Sequence, residues 1–175
     1  MINKTLKIFV MAACVISLTL ISGCGYKVGS IMHPQVKSIA VAPVINDTIS
    51  YNLAAVMRNR LTEAIMRDGS LKVKNLREAD CILYARIVEI NYVETTPATY
   101  DNQVTYRPAE WRVWMKVEFS VIIPGKKEPL IKKRTIEAST LFQIQADLFV
   151  NRNRANRQVC WKASRLVTQM ITEGW

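Results

Sequence analysis

Apolar and polar side chains alternate along one stretch of the chain, from Trp111 to Ile123. Every second position there is apolar, and most of the intervening positions are charged or polar. Two residues is the repeat of a strand with one buried face, so the pattern predicts a β-strand. Runs rich in Ile, Val and Leu predict three further strands, at 38–44, 81–92 and 130–142.

Two longer stretches have apolar residues at helical spacing. The first is 51–68, which follows several residues able to cap a helix and precedes Gly69. The second is 147–172, whose outer face is basic. The polar stretch 94–109 is predicted to be a loop. The order β-α-β-β-β-α therefore predicts an α+β fold, a two-layer sandwich in which two amphipathic helices cover one face of an antiparallel sheet of about four strands.

The start of the chain has the parts of a secretory signal. Lys4 and Lys7 precede an apolar run, 8–20, which is shorter than the roughly 20 residues of a transmembrane helix. The run leads into Ile21-Ser22-Gly23-Cys24, an apolar-small-small-Cys pattern typical of a lipobox. We expect cleavage before Cys24 and attachment of a covalent lipid, palmitate included, to that cysteine. The alternative is an ordinary signal peptide with an incidental cysteine.

These features divide the chain into three parts. Residues 1–23 are the predicted signal peptide, 24–37 a lipidated tether, and 38–175 the α+β domain. Loss of the two signal lysines leaves 22 of the 24 basic side chains against 14 acidic ones, a net charge of about +8. Such an excess favours an anionic partner, either phosphorylated lipid or an acidic protein, whereas export disfavours nucleic acid. The alternative is that the basic surface only maintains solubility.

Residues that would support catalysis or metal binding are sparse. The single histidine, His33, lies in the predicted tether, far in sequence from any Ser or Asp partner. Cys81 and Cys160 lack neighbouring ligands at metal spacing, and no phosphate-binding glycine motif occurs. We therefore expect no enzyme activity, no metal and no cofactor other than the lipid on Cys24. In an exported chain Cys81 and Cys160 either form a disulfide or remain two buried thiols.

Several segments together resemble one family of envelope proteins. They are Gly23-Cys24-Gly25-Tyr26, then 38–48, then Arg67-Asp68-Gly69, then 79–83, followed by the alternating strand and the last helix. Their order and spacing resemble the LptE family of lipopolysaccharide-assembly lipoproteins. The resemblance implies a lipoprotein of the outer membrane, facing the periplasm, that plugs the β-barrel LptD, helps it fold and aids lipopolysaccharide delivery. Gly25, in place of Asp after the cysteine, is similar to signals for the outer membrane.

Basic residues on the strands are the candidate ligands for lipopolysaccharide. Even spacing within each strand predicts that Arg112, Lys116, Lys132 and Arg134 lie on polar strand faces and contact the lipid, although solvated strand charges would follow the same pattern. Trp161, on the basic side of the last helix, is a candidate partner contact, and its alternative is a ring covered by arginine stems.

A different class of envelope lipoprotein remains an alternative. The opening strand and Asn46-Asp47-Thr48 also resemble activators of cell-wall synthases and accessory lipoproteins of secretion systems.

Overall fold

The computed structural model describes residues 36–100, 103–143 and 148–173. The signal peptide, Cys24 and the tether through residue 35 lie outside the described residues, as does His33. In chain order the elements are β1 (Ser38–Val41), β2 (Ile45–Asn46), α1 (Leu53–Asp68), β3 (Lys72–Val73), β4 (Cys81–Tyr100), β5 (Gln103–Ile122), β6 (Ile131–Phe142) and α2 (Leu148–Thr172).

The strands form one mixed sheet in the order β3-β1-β4-β5-β6, with β2 also paired to β4. The α+β class and the two helices are confirmed. The sheet has six strands. The β4–β5 and β5–β6 pairs are antiparallel, whereas β1 pairs in parallel with β3 and β4, and β2 pairs in parallel with β4. The parallel pairing arises because helix α1 lies between β1 and β3, and a strand-helix-strand crossover lets the second strand run in the same direction as the first. The short strands Ile45–Asn46 and Lys72–Val73 were not predicted.

Strands β4 and β5 form a long hairpin. The predicted loop at 94–109 is wrong, because pairing continues from Glu94↔Trp111 as far as Tyr100↔Gln103. Strand β6 pairs no further along β5 than Trp111↔Phe142, so the outer part of the hairpin has only two strands. The sequence of this stretch is mostly polar and has no regular apolar alternation, and for that reason it resembles a loop. Register shifts accompany Pro97, which agrees with the restriction of proline to irregular strand positions.

Both helices pack on the same face of the sheet and form the core with it. Helix α1 buries Leu53, Met57, Leu61 and Ile65, which follow one another at four-residue spacing. Gly69 ends α1 with φ 76°, and its N–H donates to the carbonyl oxygen of Ile65 at 3.1 Å. The strands contribute every second residue to the same core, chiefly Leu83, Ala85, Ile87, Val113, Met115, Val117, Phe119, Ile136 and Ala138.

Asp80 fixes the point where the chain enters the domain. Its Oδ2 accepts hydrogen bonds from the backbone N–H of Lys37 at 3.0 Å and from the N–H and Oγ of Ser38 at 2.9 and 2.8 Å. The Ser38 hydroxyl and the backbone N–H groups of Lys37 and Ser38 stabilise the carboxylate and hold the pKa of Asp80 below its ordinary value. The first strand is therefore tied to the start of β4.

The strand and helix directions define two ends of the domain. The tether end contains Val36, the segment 69–80 and the turn 123–130, because β1 and β4 begin there and β5 ends there. The distal end contains the loop 47–52 and the beginnings of both helices. The C-termini of the helices meet at the tether end, where the Thr172 hydroxyl lies 3.4 Å from the Asp68 carboxylate.

Candidate functional site

The sheet face away from the helices is the open face, and it carries the candidate contact at Arg112. Alternation along β5 places Arg112 on this face, because the neighbouring Val113 is buried in the core. Its cross-strand partners are Val93 on β4 and Leu141 on β6, which are 50% and 43% exposed. Arg112 forms no ion pair with any residue that the structure describes. The site thus combines an exposed guanidinium with two exposed apolar side chains.

Lys116 lies on the same face but in a different electrostatic environment. Its register partners are Glu89 on β4 and Glu137 on β6, and its Nζ is 3.7 Å from the Glu137 carboxylate. Lys116 is four residues from Arg112, or about 13 Å along an extended strand. Two neighbouring carboxylates offset its charge, so Lys116 attracts an anion less strongly than Arg112 does.

The structure does not bring Lys132 and Arg134 together with Arg112 and Lys116. Arg134 is the register partner of Phe119, and this pairing places it on the helix side of the sheet, about 23 Å along the strand from Arg112. The prediction that Arg134 lies on the polar face of its strand is therefore wrong, because it shares the face of the buried Ile136. The cross-strand register is the cause, because it pairs odd-numbered residues of β5 with even-numbered residues of β6 from Trp111↔Phe142 to Phe119↔Arg134. A register shift follows between Phe119 and Val121. In that shifted segment Lys133 is the residue that reaches the Glu118 carboxylate.

Trp161 is half-buried on α2. The Arg165 guanidinium lies 5.0 Å from the centre of its ring, so an arginine does cover part of the indole. Trp161 also borders a groove of about 290 Å³ between α1 and α2, whose rim includes Arg67. The Thr168 hydroxyl in this groove is buried and has no hydrogen-bond partner among the described residues. The indole is thus part of an interhelical groove rather than an isolated exposed ring.

Cys81 and Cys160 are separate, buried thiols in this structure. The disulfide considered from the sequence does not form in it. Burial raises the pKa of each thiol to about 12, because the apolar core disfavours the thiolate. The Cys81 thiol donates to the Ser38 carbonyl oxygen at 3.5 Å. Both cysteines therefore pack as small core residues, the second of the two interpretations given above.

The part of the chain that the structure describes holds no group of three or more His, Cys, Asp and Glu side chains able to bind a metal ion. Neither α1 nor α2 has the length and apolar content needed to cross a bilayer.

Sequence reasoning missed the apolar neighbours of Arg112. Val93 immediately precedes the stretch predicted as a loop, and only the cross-strand register shows that Leu141 lies beside Arg112. Exposed apolar residues at the distal end, among them Ile49 and Phe149, were also missed. For the surface beside Arg112, the one sequence signal would have been apolar residues at strand positions that face away from the core.

The fold defines a class, a small α+β domain with two helices on one side of a mixed sheet. A family described as "LptE: Lipopolysaccharide-assembly" matches residues 36–173. The chain therefore belongs to the LptE family. The match includes the hairpin and the last helix, whereas the alternative resemblance concerned only the opening strand and Asn46-Asp47-Thr48.

Solved structures share this fold at low sequence identity. A Xanthomonas campestris protein of family DUF330 superposes with TM-score 0.58 at 7% identity, covering 81% of this chain and 89% of that one. A minor lipoprotein of Acinetobacter baumannii superposes with TM-score 0.51 at 12% identity, covering 79% of this chain and 94% of that one. Similarity at this identity supports the fold alone. No curated protein sequence matches the chain.

Proposed function

We propose that this protein is an outer-membrane lipoprotein, acylated at Cys24 and facing the periplasm, that plugs an LptD-type β-barrel, assists its assembly and aids lipopolysaccharide delivery. The observation that carries the proposal is the LptE family match over residues 36–173, which includes nearly the whole described domain. The lipobox ending at Cys24 agrees with membrane attachment. The family consists of accessory lipoproteins, so the proposed role is binding and assembly, not catalysis.

Arg112 is the residue we propose as the main lipopolysaccharide contact on the open face. The lipid part of lipopolysaccharide carries phosphates next to acyl chains. A guanidinium binds phosphate through paired hydrogen bonds, and Val93 and Leu141 on either side offer apolar contact to a chain. Lys116 contributes less, because Glu89 and Glu137 flank it. Lys132 and Arg134 belong to a different part of the surface.

Trp161 remains the proposed contact with the barrel. Its half-exposed indole borders the interhelical groove, and aromatic side chains in such positions are frequent at protein interfaces. Arg165 stacks on the ring and would enter the same contact.

Charge reversal at Arg112 tests the lipid contact. We expect Arg112→Glu to weaken lipopolysaccharide binding by about tenfold or more, since a hydrogen bond to a charged group contributes about 1.5–3 kcal/mol. The matched control is Lys132→Glu, which makes the same change in net charge at another exposed position. It should weaken binding much less and shift the salt dependence only slightly.

Binding would be measured by titration at several salt concentrations. Equal losses in Arg112→Glu and Lys132→Glu would mean that only overall charge matters, and the assignment of Arg112 would then be withdrawn.

A further inference from the structure

Large apolar side chains are exposed together at the distal end. Ile49 is 102% exposed, Tyr51 is 95% exposed and Phe149 is 74% exposed. Single exposed apolar residues are common on soluble domains, but a cluster of them marks a contact surface. Ile49 and Tyr51 lie in the loop before α1, and Phe149 lies in the first turn of α2. All three line one groove of about 360 Å³ between the two segments.

The loop that carries Ile49 is held in place by its own hydrogen bonds. The Asn46 side chain accepts from the backbone N–H and the hydroxyl of Thr48 at 3.1 and 2.7 Å, and it donates to the Ser50 carbonyl oxygen at 2.9 Å. The N–H of Asp47 donates to the Ile87 carbonyl oxygen at 3.0 Å, which ties the loop to β4. Ile49 is therefore presented in an ordered loop, and ordering before contact lowers the entropic cost of binding.

The charges around this groove are positive. Arg152 and Arg157 line it, and among its described lining residues none is acidic. The nearest acid in the loop, Asp47, is paired with Arg86 at 3.1 Å. Arg152 also lies over the Tyr92 ring, 3.8 Å from its centre, so its position is fixed. Apolar tips beside arginines suit a surface that is anionic outside and apolar within.

We propose that the distal end is a second membrane contact, in which Ile49, Tyr51 and Phe149 insert into the interface of an anionic lipid bilayer while Arg152 and Arg157 bind its phosphates. Interfacial attachment of this kind combines buried apolar area with attraction to anionic lipid. Rings and branched chains that project beyond the backbone reach into a soft interface.

The length of the tether allows both contacts on one leaflet. Val36 is twelve positions after Cys24, and an extended chain of that length spans about 40 Å. Ile39 and Asn46 pair with Cys81 and Ile87, so between them the sheet rises about 20 Å toward the distal end. A chain attached at Cys24 can therefore lie along the bilayer with its distal end on the same leaflet. This step rests on the proposed lipid attachment, and it applies to the lipoprotein before it joins a barrel.

A fluorescent label at position 49 tests the contact directly. Ile49→Cys adds a fully exposed thiol, whereas Cys81 and Cys160 are buried, with the pKa of each raised to about 12, so labelling of the folded protein is selective. The lipidated full chain, labelled with an environment-sensitive dye, is reconstituted into vesicles containing phosphatidylglycerol and lipids that carry a quencher. Glu128→Cys, exposed in the turn at the tether end, is the matched control.

We expect quenching of the label at 49 to be at least twofold stronger than at 128, and to fall toward the control value in 1 M salt or in the added variant Arg157→Glu. If the protein floats with the vesicles but the label at 49 stays unquenched, the docking alone is overturned. Quenching that Arg157→Glu does not change would also overturn the docking. Protein that does not float would overturn both the docking and the lipid attachment. Protection of position 49 only after addition of the barrel would assign this surface to a protein partner and overturn the proposal.

Discussion

Tyr92 joins the hairpin to α2, and its hydroxyl can be removed without changing the ring. The hydroxyl donates to Asn156 Oδ1 at 2.6 Å, and Asn156 is a buried residue of α2. Tyr92→Phe leaves that acceptor without its partner. A buried group that loses its hydrogen bond costs about 1–3 kcal/mol, and because this contact is only partly buried we expect a loss of about 1–2 kcal/mol in the free energy of unfolding.

The ring of Tyr92 contributes separately. It meets the Phe142 ring edge to face at 6.4 Å and lies beneath the Arg152 guanidinium. The aromatic pair is worth about 0.5–1.5 kcal/mol and the cation contact about 0.5–1 kcal/mol. Tyr92→Leu removes all three contacts, so we expect a total loss of about 2–4 kcal/mol.

Equilibrium urea unfolding, followed by circular dichroism, measures both variants against the unsubstituted chain. A double-mutant cycle with Asn156→Leu then isolates the hydroxyl contact. A lost hydrogen bond usually costs more than about 0.3 kcal/mol. If the free energy of unfolding of Tyr92→Phe lies within about 0.3 kcal/mol of that of the unsubstituted chain, the pairing of Tyr92 with Asn156 is refuted.

Three further predictions concern the ends and the core of the domain. Asp80→Asn should destabilise the fold at neutral pH. Hydrogen bonds, chiefly from the Ser38 hydroxyl, lower the pKa of Asp80 in the folded protein. Their stabilisation is therefore complete above the ordinary aspartate pKa of 3.8 and is lost as the pH falls through the lowered pKa of the folded state. Urea unfolding at several pH values should show the two proteins converging in acid, and a constant difference would contradict this reasoning. Cys81 and Cys160 should react with a thiol reagent only in denaturant, where two free thiols per domain are expected without reductant; a count of zero would restore the disulfide. Gly69→Ala should lower the free energy of unfolding by about 1–2 kcal/mol, because residue 69 has φ 76°, and an unchanged urea midpoint would argue against this left-handed helix end.

Elements with one regularly buried face could be predicted from the sequence. Helix α2 was expected at 147–172 and is observed at Leu148–Thr172, and the strand expected at 111–123 forms the inner part of β5. In both, the core imposes a repeat that remains visible in the residue types. Cys81 and Cys160 show the limit of this reasoning, because two buried thiols and a disulfide are compatible with the same pattern.

Features that depend on pairing between distant segments could not be predicted. The two-residue strand Lys72–Val73 is too short to have a period, and its parallel pairing with β1 depends on the path of α1. The cross-strand register that places Arg134 opposite the buried Phe119 leaves no mark on the spacing within either strand. The kind of residue in the candidate site stays a prediction, and the structure corrects only which of those residues share a surface.

Partner identity is the most direct test of the proposed role in barrel assembly. The lipidated protein would be captured from solubilised envelopes under mild detergent, and the proteins retained with it identified and quantified by mass spectrometry. An LptD-type β-barrel recovered in near-equal amount is the predicted result. Recovery of a cell-wall synthase or of secretion components, with no large barrel protein, would contradict it.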